Sequence, residues 1–238
     1  MISETNFVSN YSSLCHTLAP DSESVIKRLN KSVLKLSRVG TVWSRPERRA
    51  FINEIAFHMF ILSIDPDRPQ GLNYSEILPL SIAEARRRQA KFGSVDNDVI
   101  QEPSPLEMAE AYGLFRRLRS FKSRIHPSAN GIYVAPGFKG CGILDSCQAD
   151  LIFGDMLIEI KAGDRNFRST DVRQILTYCA LNAAEGAYRL RRFALVNPRR
   201  AFYFVGDIET ICLQCASKPP AELLSEILYF LSNGELSR

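Results

Sequence analysis

The chain has 238 residues, 45% of them hydrophobic and 24% charged, with a formal net charge of +4. That length allows one large domain, or a compact core with an added region, and a core big enough to fold without a disulfide or metal staple. The composition excludes a coiled coil, a collagen-like chain and a disordered tail; no apolar run approaches the roughly 20 residues of a membrane span, and no signal peptide is visible, so a soluble cytoplasmic chain with no membrane partner is expected.

In chain order, Ser22–Ser37 has helical spacing, with Val25, Leu29, Val33 and Leu36 recurring on one face. Ser44-Arg-Pro-Glu47 has the spacing of a capping box and predicts a helix over Arg48–Ile64. Its apolar residues wrap much of the circumference, as in a well-buried helix, and Trp43 is expected to anchor its opening. Asp65–Gly71 reads as a turn, Ser81–Lys91 as an Arg-rich helix and Gly93–Pro103 as a loop. A second capping box, Ser104-Pro105-Leu106-Glu107, starts a helix to about Lys122 whose apolar face is Ala111, Leu114, Leu118 and Phe121. Beyond His126-Pro127 the period becomes two, predicting strands over Gly131–Phe138, Gln148–Phe153 and Met156–Lys161. A helix over Ser169–Ala184, capped by Ser169 or Thr170 and stopped by Gly186, follows. Strands over Arg192–Asn197 and Ala201–Val205 and a closing helix over Ala221–Leu231 complete the chain. This order predicts an α/β layered core over residues 104–238, with residues 1–103 as an N-terminal helical region that caps the core or docks a partner.

Charge is unevenly distributed. Between Arg116 and Arg200, fifteen Lys and Arg face seven Asp and Glu, and the remainder leans acidic. Such a bias is the footprint of a phosphate-binding surface as readily as of a solvated basic face. Lys139, Arg165, Arg168 and Arg173 are the candidate phosphate contacts.

The chemistry concentrates in Ala149-Asp150 through Lys161. Along the third strand Asp155, Leu157, Glu159 and Lys161 share one face. Burying Glu and Lys at the end of an apolar strand is costly unless they pair or bind a metal. A hairpin through Gly154-Asp155 brings Asp150 near Glu159, and two converging carboxylates form a hard oxygen site suited to Mg²⁺ or Mn²⁺. Asp145 is a second upstream acid. On the following helix Gln174 and Tyr178 are four residues apart and share a face, with Arg173 beside them.

Asp150, Glu159-Ile160-Lys161 and the Gln174-xxx-Tyr178 element together resemble the PD-(D/E)xK phosphodiesterase superfamily, in its RecB-like branch. The resemblance covers about Ser104–Val205. It implies a restriction-endonuclease-like αβββαβ core, with a mixed central sheet flanked by helices, and a metal-dependent nuclease acting on nucleic acid, DNA by expectation. Asp150, Glu159 and the Ile160 carbonyl would then hold Mg²⁺ (or Mn²⁺), Lys161 would activate or position water, and Gln174 and Tyr178 would steady the Lys or the substrate backbone. The family often adds a Glu on the helix before the first strand. Glu107, which faces the core, is the candidate and Glu110 the alternative, although Glu107 also suits the capping box with Ser104. A second class of function is a non-catalytic nucleic-acid-binding or scaffold subunit of a larger restriction or phage-defence complex, with a protein partner or a second copy. The Cys residues, including Cys212-Leu-Gln-Cys215, read as reduced structural thiols, and His58 as a core or surface histidine.

Overall fold

The computed structural model describes residues 2–10, 17–38, 44–65, 73–91, 102–125 and 131–233. Cys15, His16, Trp43, His126, most of the expected turn after Asp65 and most of the expected loop after Gly93 lie outside them. The protein is a mixed α/β structure whose mixed sheet is flanked by helices. Among the described residues no helix is long and apolar enough to cross a membrane.

The chain divides into two compact units. The first comprises Met1–Leu34, Ser128–Asn197 and Phe202–Arg238; the second comprises Lys35–Pro127 and Pro198–Ala201. The division therefore runs elsewhere than the 103/104 boundary that patterning suggests. The first 34 residues group with the sheet, and the helix opened by Ser104 groups with the segment before it.

The first unit begins with α1 (Glu4–Asn10), which sequence patterning misses, and α2 (Ser22–Lys31). The expected helix to Ser37 stops at Lys31, and Leu34–Lys35 forms the short edge strand β1. Two strands of the expected three are each broken in the middle. β2 (Ile132–Val134) and β3 (Gly137–Phe138) flank Ala135, at φ +48°, and Pro136, which has no amide to give. Opposite them, β4 (Cys147–Gln148) and β5 (Leu151–Phe153) flank Ala149-Asp150, and the Ala135 amide donates to the Asp150 carbonyl at 3.0 Å. β6 (Met156–Ile160) follows the Gly154-Asp155 turn. The sheet order is β1-β8-β7-β6-β5-β2, where β7 (Arg192–Asn197) runs parallel to β6 and β8 (Phe202–Asp207) antiparallel to β7.

The crossover between β6 and β7 is α6 (Ser169–Glu185). The carboxylate of Asp171 accepts the Arg168 amide at 2.9 Å and a two-pronged contact from Arg165 at 2.7 and 2.9 Å, so Asp171 carries the start of the helix. Ser169 instead directs its hydroxyl to Glu23. Gly186, at φ +68°, closes the far end in the left-handed conformation that favours glycine. One face of the sheet, with Ile152, Leu157, Phe193 and Leu195, packs into a core with Val172, Ile175 and Leu176 of α6. The outer side of α6 packs against α1, α2 and α8 (Pro220–Asn233). α7 (Ile208–Ala216) is a second element missed in the sequence; Cys212 and Cys215 lie buried on its inner face with Ile208 and Ile211. Burial pushes the Cys212 thiol up to about 11 and the Cys215 thiol up to about 12, which keeps both protonated and unreactive.

The second unit is helical. α3 (Arg49–Ile64) packs against α4 (Tyr74–Lys91) and α5 (Pro105–Ile125) and is buried on most sides, as its composition predicts. The two expected capping boxes behave differently. At Ser104 the box forms: the Glu107 carboxylate accepts the Ser104 amide at 2.9 Å and the Ser104 hydroxyl accepts the Glu107 amide at 3.3 Å. At Ser44 it does not, because the hydroxyl and amide of Ser44 both donate to Glu110 at 2.8 Å, and a 3-10 turn over Pro46–Arg48 precedes α3. α4 starts seven residues before the expected Ser81. A box between Asn73 and Glu76 opens it, with bonds of 2.8 and 3.1 Å, and the helix continues through Pro79. Arg199 is 2% exposed and pairs with the buried Glu110.

Candidate active site

The β5–β6 hairpin pairs Leu151 with Ile158. Continued by one step, that register sets Asp150 opposite Glu159. Because the strand is broken at Ala149-Asp150, the Asp150 side chain turns along the hairpin, and its Oδ2 accepts the Ile160 amide at 2.6 Å. Period-two alternation then carries Glu159 and Lys161 onto the α6 side of the sheet. Nζ of Lys161 donates to Glu159 Oε1 at 2.8 Å and to Oε1 of Gln174 at 2.5 Å. Nε2 of Gln174 donates to the Tyr178 hydroxyl at 2.8 Å and to Glu4 Oε1 at 3.2 Å. The Tyr178 hydroxyl donates onward to the Gln148 carbonyl at 3.0 Å, and its ring stacks on Phe138 with centroids 5.3 Å apart. The structure thus brings together Asp150, Glu159, Ile160, Lys161, Gln174 and Tyr178.

The electrostatics follow from burial. Glu159 is 6% exposed, and its Oε2 is buried with no hydrogen-bond donor. Burial first, and the nearby Asp150 charge second, push its pKa up to about 8 from an ordinary 4.5, against the opposing pull of Lys161. Burial opposes the Lys161 charge, but Glu159, Asp171 and Asp150 outweigh it and hold the ammonium above its ordinary range. Burial and then the Glu159 and Glu4 charges keep the Tyr178 phenol protonated. Folding therefore takes up a proton at Glu159 between its ordinary value and about 8, so stability falls as pH rises through that window. Glu159→Gln mimics the protonated acid. The variant is expected to melt close to wild type at pH 4 and several degrees above it at pH 9, a gain on the order of a few kcal/mol. Parallel thermal profiles in chelator at both pH values would rule the buried proton out.

The remaining expected residues are placed elsewhere. Glu107 lies in the second unit, where its carboxylate serves the Ser104 amide and pairs with buried Arg48 at 3.1 Å. Arg173 is buried, with Nη1 on the Val8 carbonyl at 3.4 Å, and does not face solvent as a phosphate contact would. Lys139 pairs with Glu185 at 3.1 Å and Arg165 with Asp171, while Arg168 is exposed just before α6. Among the described residues no three His, Cys, Asp or Glu side chains are arranged to hold a metal. Two carboxylates and a peptide carbonyl are nevertheless a hard oxygen set, and the buried, donorless Glu159 Oε2 fits a cation. The residue that sequence reasoning missed is Glu4. It sits 170 positions from Gln174, in a seven-residue helix with no periodic signal of its own.

No protein-family model, curated protein or solved structure matches the chain.

Proposed function

We propose that the protein is a metal-dependent nuclease of the PD-(D/E)xK type, with a restriction-endonuclease-like core, hydrolysing phosphodiester bonds of nucleic acid, DNA in the first place. The observation that carries this reading is the buried Glu159 carboxylate, one oxygen bonded to Lys161 and the other without a donor, beside Asp150. Asp150, Glu159 and the Ile160 carbonyl are the residues that would hold Mg²⁺ or Mn²⁺. The bound ion supplies Lewis-acid polarisation of a phosphate oxygen and a water of lowered pKa.

The side chains divide the remaining work. Lys161, held protonated, is a donor and a positive charge and not a proton acceptor, so it orients the attacking water and stabilises the negative charge that develops on phosphorus-bound oxygen. Gln174 holds the ammonium in place through its carbonyl. Tyr178, 1% exposed and spent on Gln148 and Gln174, acts through Gln174 as a positioning residue. Glu4, rather than Glu107, supplies the additional acid that the family resemblance implies, and it steadies the other end of the Gln174 amide. A role in restriction or phage defence is part of the same proposal.

The test is incubation of the full chain with linear, circular and single-stranded DNA and with RNA, in Mg²⁺ or Mn²⁺. Cleavage that chelator stops, and that at subsaturating metal rises with pH because Glu159 must lose its proton to take the ion, is the expected result. No cleavage of any substrate overturns the reading for this chain.

A further inference from the structure

The positive charge that sequence counting assigns to the region after Arg116 is largely spent wherever it was expected to meet phosphate. Lys139 and Arg165 are ion-paired and Arg173 is buried. The same is true of the Arg-rich end of α4. There Arg86 pairs with Glu102, Arg87 with Glu84, and Arg88 with Glu54 and Glu84.

Helix α5 is different. Its last three turns carry Arg116, Arg117, Arg119, Lys122 and Arg124 with no acid among them. The extended segment Lys35–Arg38 runs alongside and adds two more cations. Arg124 donates to the Lys35 and Leu36 carbonyls at 2.6 and 3.0 Å, and Arg117 donates to the Ser37 hydroxyl at 3.2 Å and the Arg38 carbonyl at 3.4 Å. These bonds consume backbone and hydroxyl acceptors and neutralise no charge. Lys35, Arg38 and Arg116 are exposed and form no ion pair with a described residue. Between helix and segment lies an open groove of about 390 Å³ lined by Leu36, Ser37, Gly113, Arg116, Arg117 and Ser120. The space over Gly113 is open, since a Cβ there would meet nothing within 4 Å. Like charge is crowded here. Lys122 is held below its ordinary range by burial and then by Arg119, and Arg117 by burial and then by Arg199.

We propose that this face of the second unit, centred on Arg116 and Arg119 beside Lys35–Arg38, is a docking surface for the sugar-phosphate backbone of a nucleic acid. An uncompensated cluster of cations along one groove gains free energy from an anion that brings repeated charges, and a strand of phosphates does so at regular spacing. The Ser120 hydroxyl, on the lining of the groove, adds a neutral donor of the kind that fixes a backbone without reading its sequence. The inference rests on the nucleic-acid reading above, but it concerns binding and not cleavage.

The experiment measures fluorescence anisotropy of a labelled DNA duplex with the full chain carrying Lys161→Ala, in chelator, across a salt series. The same chain with Arg116→Glu and Arg119→Glu is expected to bind at least about tenfold more weakly, with a log–log salt slope shallower by about two. Arg116→Gln with Arg119→Gln guards against a folding defect and is expected to show a smaller loss of the same sign. Equal affinity and slope in all three proteins overturn the proposal, whether or not the wild-type chain cleaves. Arginine-dependent capture by phosphatidylserine vesicles without arginine-dependent DNA binding also overturns it, in favour of a membrane surface. If the arginine variants lose DNA binding while the wild-type chain, assayed separately in Mg²⁺ or Mn²⁺, cuts no nucleic acid, the surface stands and the nuclease reading falls.

Discussion

Lys161→Ala is expected to lower the rate of phosphodiester hydrolysis by a factor on the order of 10³ while leaving duplex binding in chelator nearly unchanged. The ammonium is bonded to Glu159 and Gln174 at once. Its removal leaves the Gln174 carbonyl and Glu159 Oε1 without that donor, and it withdraws both the charge and the hydrogen bond by which Lys161 holds the Glu159 pKa down. The charge that would meet the developing negative charge on the phosphate is lost in the same step. Single-turnover cleavage at saturating Mn²⁺ isolates the chemical step from metal affinity. A variant that cuts at the wild-type rate removes Lys161 from the mechanism. A rate restored merely by raising pH would assign it a role in tuning Glu159 alone.

Arg199→Ala is expected to destabilise the second unit by about 3–5 kcal/mol, the range for removing one partner of a buried ion pair. The guanidinium bonds to Glu110 and, at 2.7 Å, to Asn53, and both it and Glu110 are almost fully buried. Without it, Glu110 loses its buried cationic partner and retains the bonds from Ser44 against the cost of a buried charge. Replacing both members, Arg199→Met with Glu110→Gln, is expected to recover much of the loss, because the penalty comes from the uncompensated charge and not from the missing attraction. Urea denaturation of the two variants checks this. A single variant that loses less than about 1 kcal/mol would mean that water reaches Glu110.

Much of the candidate site is legible in the sequence because its geometry is local. Period-two alternation puts Glu159 and Lys161 on one face, and a four-residue step puts Gln174 and Tyr178 on another; both survive in the hydrogen bonds that join them. The bounds of β7, Arg192–Asn197, are those that frame its continuous apolar run. The Ser104–Glu107 box forms for the same reason, its two partners being three residues apart. What patterning could not supply is long-range competition. Ser44 has a capping partner within reach at Glu47 and binds Glu110 instead, 66 residues away. Glu107, read as facing a metal, meets Arg48 across 59 residues. The breaks at Ala135-Pro136 and Ala149-Asp150 are matched across a hairpin, so neither strand alone reveals them. The Asn73–Glu76 box and the Ile208, Ile211, Cys212, Cys215 stripe are themselves local signals, and the helix that the box opens continues through Pro79.

The first unit is assembled from segments that lie far apart in the sequence, and this sets a schedule for its synthesis. Asn30 exchanges two hydrogen bonds with the Phe167 backbone, at 2.9 and 3.1 Å, across 137 residues, and Glu4 meets Gln174 across 170. At the roughly 5–20 residues per second of translation, α1 and α2 wait on the order of ten seconds or more for the helix they pack against. Throughout that interval Phe7, Val8, Val25, Ile26 and Leu29 have no core to enter. The whole helical unit is made in the meantime and can fold around α3 except for the contribution of Arg199, which arrives after β7. A nascent chain therefore holds the apolar faces of α1 and α2 in reserve, and the network from Glu4 to Lys161 closes only when α1 meets residues made long after it.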